Sequence, residues 1–356
     1  MRIVIFGLAV SSSWGNGHAS LWRGLIHALL RDGHRVVFFE RDVPYYAEHR
    51  DFSTLPEGGE LVLYREWDDA PASRALAEAD VGMVTSYCPD GIAATRLVCD
   101  SRVAVRCFYD LDTPVTLARL DAGEPVAYLG PEGLRDFDLV LSYTGGEALE
   151  ALRSRLGARR VVPIYGSVDP SLHRPVSVEP HYSAHLSYLG TYSEDRQAAL
   201  LRLFVEPARQ RPASRFVIGG AQYPREFPWT ENIWFVRHVP PPAHPAFYSS
   251  SRLTLNVTRA AMARMGWCPS GRLFEAAACG TPILSDAWPG LDAFFARGDE
   301  ILVADTTAEA LAALDTDTAE LARIARRARE RTLQQHTAQR RAQEMVRAFE
   351  TVGEEV

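Results

Sequence analysis

The chain has 356 residues, 47% of them apolar, and a formal charge of −7. That is enough for two globular domains of ordinary size, and the negative balance argues against general nucleic-acid binding. All 38 basic residues are arginine, which excludes a Walker A loop and Schiff-base pyridoxal phosphate chemistry, since both need a lysine amine.

Any phosphate clamp here must therefore use arginine, histidine or backbone N–H groups. No apolar run approaches the 18 or more residues of a membrane span. Cys88, Cys99, Cys107, Cys268 and Cys279 form no C-x-x-C pair. That spacing fits a reducing, cytoplasmic setting and neither a disulfide framework nor a zinc site.

In chain order, residues 2–8 read as a continuous apolar strand, not a secretory leader, because the polar loop 11–17 follows too soon. Leu21, Leu25 and Leu29, with Trp22 and Ile26, give a helical stripe over 18–31, ended by Gly33. Residues 35–39 are the next strand. This βαβ opening makes a parallel sheet the default. Further strands are expected at 61–64, 81–86, 103–109, 139–143 and 161–165, with helices at 91–99, 114–121 and 146–156. Residues 174–180 read as a linker.

The second half restarts with a strand at 185–189 and a helix at 194–204. Strands at 215–218, 233–236 and 253–257 follow. Two αβ halves joined by a linker imply a ligand cleft between them. Helices at 307–312, 318–332 and 338–352 close the chain. The arginines at 323, 326, 327, 329 and 331 can meet an anionic surface or simply form a solvated face.

The most informative stretch is C-P-S-G-R-L-F-E-A-A-A-C-G-T-P-I-L-S-D at 268–286. Pro269 and Ser270 are helix-start residues, and Gly280 suits the helix end. The spacing predicts a helix over 270–279 and a strand over 281–285. The helix is apolar apart from Arg272 and Glu275 in its middle. A buried carboxylate needs a partner, either an arginine or a ligand diol. The helix start offers an anion site. A phosphate there and a diol at Glu275 together describe a nucleotide or nucleotide sugar.

Two motifs in the right order carry a family resemblance. Gly166-Ser167-Val168-Asp169-Pro170-Ser171-Leu172-His173-Arg174-Pro175 resembles the N-G-V-D-x-x-x-F-x-P segment of GT-B glycosyltransferases. E-A-A-A-C-G-T-P-I-L-S-D resembles their E-A-x-A-x-G-x-P-V-I donor motif. His336-Thr337 and Arg341-Ala342 are similar to the H-T…R-A of their last helices. S-S-W-G-N-G-H-A, F-Y-D-L-D-T-P-V-T, L-G-T-Y-S-E-D-R-Q and L-N-V-T-R look like the CgeB-type branch of that group.

The resemblance implies an α/β fold of two Rossmann-like domains. They would be an acceptor domain over 1–170 and a nucleotide-sugar domain over 171–336, with residues 337–356 packing back toward the first. It implies no cofactor and no metal, a nucleoside-diphosphate sugar (UDP among the candidates) as co-substrate, and an acceptor it does not name. It leaves oligomeric state open, and peripheral membrane association is compatible with it.

Residue by residue, the resemblance implies that Glu275 holds the ribose hydroxyls, with Ser270, Gly271 and Arg272 under the diphosphate. Gly190-Thr191-Tyr192-Ser193-Glu194-Asp195-Arg196 lies where the family has G-R-L-x-x-x-K. Arg196 then stands for the phosphate-binding lysine, and Thr191 replaces the arginine, with Arg259 as a candidate substitute. His238 or Val239 would meet the base. Trp267 stands where retaining members carry the first glutamate of E-x-x-x-x-x-x-x-E, so neither sugar nor stereochemistry is carried over.

In the first half, His18 ends the Gly15-Asn16-Gly17-His18 loop, where inverting relatives hold a catalytic histidine. An imidazole titrates near neutrality and suits a general base; the alternative is a helix-start histidine that only caps or packs. Asp110 and Asp112 follow a strand end and can orient an acceptor or act as base, and Asp112 can instead cap a helix. Gly145 and Gly146, after Tyr143, can let backbone approach a phosphate or sugar. Glu40, Arg41 and Asp42 either line the acceptor side or pair at the surface. The reading is a metal-independent glycosyltransferase. Its rivals are a nucleotide-sugar epimerase and a non-catalytic GT-B-fold binding or structural protein. A phosphorylase of this fold is excluded by the missing lysine.

Overall fold

A computed structural model describes residues 1–353. The chain divides into two compact units. One is Met1–Tyr165 joined by the C-terminal segment that starts at Ala338, and the other is Gly166–Thr337.

The first unit carries β1 (Arg2–Gly7), β2 (Arg35–Arg41), β3 (Gly59–Tyr64), β4 (Val81–Thr85), β5 (Val105–Asp110), β6 (Leu139–Ser142) and β7 (Val161–Pro163). They form one parallel sheet in the order β3-β2-β1-β4-β5-β6-β7. Both faces are covered, so β1 is apolar from Ile3 to Phe6 and these side chains alternate between two cores. Ile3 and Ile5 pack with Trp22, Leu25, Phe38 and Tyr109, while Val4 and Phe6 pack with Phe39, Val84 and Phe108. The helix Ala338–Gly353 adds Ala342, Met345, Phe349 and Val352 to the first of these cores.

The second unit carries β8 (Leu186–Leu189), β9 (Phe216–Gly219), β10 (Ile233–Val236), β11 (Thr254–Asn256), β12 (Ile283–Ser285) and β13 (Leu302–Val303). They form a second parallel sheet, ordered β10-β9-β8-β11-β12-β13. Leu186, Tyr188, Phe204, Phe216, Ile218 and Leu255 share its core. Gly220, with φ +155°, lets the chain after β9 lie against the carbonyl of Gly190, where any side chain would collide.

In each sheet the strand order turns back at one place, between β1 and β4 and between β8 and β11. Loops leaving the carboxyl ends of those strands diverge, and such a switch point is where open α/β sheets hold ligands.

Most expected elements are present, and the donor-motif helix runs Gly271–Ala278, within a residue of its expected ends. Gly280 takes the left-handed φ of +74° that its helix-ending role requires. The helix expected over 194–204 continues to Gln210, with a wide turn at Leu201–Val205 just before Pro207. Pro207 lacks the N–H that an α-turn would use. Among the described residues, four α-helices have no counterpart in the expectations: Pro44–Ala47, Asp69–Ala77, His244–Ser249 and Ala260–Met265. Three are four to six residues long, too short to show a period. The fourth, D-A-P-A-S-R-A-L-A, buries only Ala72 and Leu76.

Candidate functional site

The switch point of the first unit gathers three side chains from three loops. Gly15, with φ +60°, turns the loop after β1. The Asn16 side chain then ties it down, accepting from the His18 N–H at 3.1 Å and donating to the carbonyls of Ala9 and Ser12. His18 is thereby fixed in the first turn of the helix Gly17–Arg31. Its Nε2 lies 3.4 Å from Asp112 Oδ2. Asp112 occupies the N-cap position of the helix Thr113–Asp121, but its side chain makes no capping bond. Tyr87, held at φ +65° after β4, sits beside the His18 ring with centroids 5.7 Å apart. Burial, then the adjacent Asp112 carboxylate, pushes the Tyr87 hydroxyl well above its usual pKa.

Asp110 lies beneath this group, fully buried. Its Oδ1 accepts from the Asp112 N–H and from Thr116 Oγ1, both at 3.2 Å, while Oδ2 has no hydrogen-bond partner. Burial raises its pKa from 3.8 to about 6. Its protonation therefore stabilises the fold fully below pH 3.8, and this contribution is lost as pH rises through about 6. The shift corresponds to roughly 3 kcal/mol. Asp110→Asn keeps the Oδ1 acceptor and removes the titration. Its melting temperature, measured against wild type, should gain several degrees between pH 4 and pH 8. A constant difference would show that Asp110 does not titrate in this range.

The loop glycines after β6 have structural duties. A side chain at Gly145 would strike the Tyr165 hydroxyl, and Gly146, with φ +56°, starts the helix Glu147–Leu156. Tyr143 packs against the β-sheet core. Nothing lies within 4 Å of the place a Gly17 side chain would fill. Arg41 and Asp42 pair with Asp90 and Arg50 at 3.0 and 2.5 Å. Glu40 is no surface residue. It is fully buried and accepts from the Val10 and Ser11 N–H groups and the Ser11 hydroxyl, anchoring the loop before His18.

In the second unit, Glu275 projects from the helix Gly271–Ala278 with 14% of its side chain exposed. Burial alone would raise its pKa, but His173, His244 and Arg272 outweigh that and hold it at about 2. Tyr248 donates to its Oε2 at 3.4 Å, and His244 Nδ1 lies 3.5 Å from the same oxygen. Ser270 begins the helix without a side-chain cap of its own. The Leu273 N–H bonds to the Ser270 carbonyl at 3.0 Å, and the N–H groups ahead of it lack the i−4 carbonyl that a helix interior supplies.

Two arginines flank the aromatic ring of Tyr188 at the end of β8. Arg196 donates to its hydroxyl at 3.0 Å, and the Arg272 guanidinium lies 5.4 Å from its ring centroid. Arg272 also reaches Asn256 Oδ1 at 3.2 Å, and the Arg196 Nε is buried without a hydrogen-bond partner. Arg196 bonds back to the Thr191 carbonyl at 3.4 Å, and Tyr192 packs on Tyr223. Arg259, after β11, reaches Asp195 in the same loop at 3.2 Å. The switch point thus collects Arg196, Arg259 and Arg272. Val239 is buried against Gly219, and its carbonyl receives His244 Nε2 at 3.1 Å; His238 is half-buried beside it. Trp267, with φ +44°, packs its ring over Gly290 and supplies no carboxylate.

Sequence reasoning did not single out His173, His244, Tyr248, Tyr188 or Tyr87. His173 carried a readable signal, since it replaces the phenylalanine of the N-G-V-D-x-x-x-F-x-P pattern. His244 had none, because its helix is only six residues long. The closing arginines are mostly occupied within their own unit. Arg323 and Arg327 pair with Asp299, and Arg329 and Arg331 donate to the carbonyls of Ala278 and Ala293. Among the described residues, no helix is long and apolar enough to cross a membrane.

Residues 196–347 match a protein-family model described as "Glycosyl transferase-like". No curated protein matches the sequence. Among solved structures, a sucrose-phosphate synthase from Thermosynechococcus elongatus is similar over 100% of both chains, with TM-score 0.75 and 16% identity. An alpha-glucosyltransferase in complex with UDP is similar over 98% of this chain and 99% of its own, with TM-score 0.71 and 14% identity. Anabaena HepE in complex with UDP and glucose is similar over 99% and 100%, with TM-score 0.68 and 14% identity. The chain has the GT-B fold, with a glycosyltransferase-like region over residues 196–347.

Proposed function

We propose that this protein is a glycosyltransferase that moves a hexose-like sugar from a nucleoside diphosphate, UDP first among the candidates, to an acceptor hydroxyl or amine. The observation that carries the reading is the buried, ionised Glu275, one turn into a helix whose first turn carries Arg272, which shares the Tyr188 side chain with Arg196. An ionised carboxylate offers two acceptor oxygens to a ribose diol. The helix start and the arginines take the negative charge that grows on the diphosphate as the anomeric C–O bond breaks. The electron pair leaves with the diphosphate, and the acceptor atom forms the new bond to the anomeric carbon. His18 takes the acceptor proton. Asp112, 3.4 Å from Nε2, orients the ring and stabilises the imidazolium that forms.

In this reading the diphosphate charge is met without a metal, and the CgeB-type motifs belong to the same loops: S-S-W-G-N-G-H-A around His18 and L-G-T-Y-S-E-D-R-Q around Arg196. The five cysteines are all free thiols, which supports a cytoplasmic setting. The test is incubation with UDP-, GDP-, TDP- and ADP-sugars in the presence of a chelator, following release of the diphosphate. Slow donor hydrolysis or transfer with one nucleotide is expected. Conversion of the sugar without loss of the diphosphate would identify an epimerase, and no turnover with any donor would overturn the enzymatic reading.

A further inference from the structure

His173 is 4% exposed, and neither of its ring nitrogens has a hydrogen-bond partner. A buried polar side chain without partners is costly, and the cost is met when something binds it. His244 and Glu275 each turn a ligand atom to it, and the three ligand atoms lie within 4.8 Å of one another. His244 Nε2 faces the Val239 carbonyl at 3.1 Å. A carbonyl only accepts, so Nε2 carries the proton and Nδ1 is the nitrogen turned to Glu275. This is how a metal-ligating histidine is commonly held, with its second nitrogen donating to a carbonyl. The Tyr248 hydroxyl, donating to Glu275 Oε2, fixes the carboxylate in the same manner.

We infer that His173, His244 and Glu275 form a site for a divalent transition-metal ion of the zinc type, with one coordination position open to solvent or ligand. Two imidazoles and one carboxylate are a zinc-type donor set. Four-coordinate zinc with bonds of 2.0–2.1 Å places its ligand atoms about 3.3 Å apart. The His244–Glu275 separation of 3.5 Å is already close to that, and only the His173 ring must draw inward. Glu275 and His244 keep 14% and 13% of their side chains exposed, which gives the ion a way in. The ion and a ribose diol would compete for Glu275, so the site is inhibitory, not catalytic, in a glycosyltransferase. The metal assay itself does not depend on the donor reading.

The test is isothermal titration of the metal-stripped full chain with Zn²⁺ alone, and with Mg²⁺ as the hard-ion comparison. One Zn²⁺ per chain should bind and Mg²⁺ should not. His173→Phe, which keeps an aromatic ring at this buried position, should weaken Zn²⁺ at least tenfold. His244→Gln should do the same, and is read if the first variant fails to fold. Co²⁺ substituted into wild type should give the intense visible bands of a four-coordinate ion. Absence of saturable one-to-one Zn²⁺ binding, six-coordinate Co²⁺ bands, or unchanged affinity in the folded histidine variant would overturn the assignment.

Discussion

Replacing Glu275 with alanine should abolish the stabilisation that UDP gives the protein. In wild type, UDP at about 100 times its Kd should add roughly 2.7 kcal/mol, a rise of several degrees in melting temperature. The variant should show no rise at the same concentration. Glu275 is the one carboxylate in a helix that is apolar apart from it and Arg272, and its charge is held by His173, His244 and Arg272. Removing it takes away both acceptor oxygens for a ribose diol. It also leaves the Arg272 guanidinium without a counter-charge, so the unliganded variant should itself lose roughly 3–5 kcal/mol. Glu275→Gln separates the two effects, because it keeps the shape and one acceptor oxygen. UDP stabilisation of equal size in Glu275→Ala would move the nucleotide away from this helix.

The second large effect is expected at His18. His18→Ala should lower kcat by a factor of about 10²–10⁴, the range for a positioned general base. UDP stabilisation should be unchanged, since Glu275 and the three arginines lie in the other compact unit. Asp112→Asn should lower kcat less, because it leaves the imidazole in place and removes only the charge 3.4 Å from Nε2. The double variant should be no worse than His18→Ala, as groups acting as one unit are not additive. Full activity in His18→Ala, measured by diphosphate release in the presence of acceptor, would remove the pair from the mechanism.

The parts of this molecule that were legible in the sequence are those written in period and punctuation. Apolar runs marked the parallel strands, and Pro269, Ser270 and Gly280 bracketed the donor-motif helix to within a residue. Glu275 stood out because a carboxylate among alanines must be answered by something. What answers it was not legible. Tyr248 and His244 arrive on a helix of six residues, and His173 comes from the segment that leaves the first unit. Contacts of this kind depend on which loops the strand order brings together, and local pattern does not encode that order. The same limit applies to Asp112. Its position before Thr113-Pro114 fits a helix cap, and only the loop after β1 shows that its carboxylate turns to His18 instead. Glu40 illustrates the reverse error, since a charged residue at a strand end looks solvated until its three buried donors are seen.

The helix Ala338–Gly353 has a consequence for how the chain is made. It supplies Met345, Phe349 and Val352, with Ala338 and Ala342, to a core whose members outside this helix all precede residue 165. Each such side chain is worth about 1.5–3 kcal/mol when buried, so the three together approach the whole net stability of a domain, about 5–15 kcal/mol. On a ribosome, the unit begun first is therefore the unit finished last. Residues 166–337 are contiguous and can close while the earlier half still waits for its final helix. Throughout that interval, the part of the first core that Met345, Phe349 and Val352 fill stays open to water.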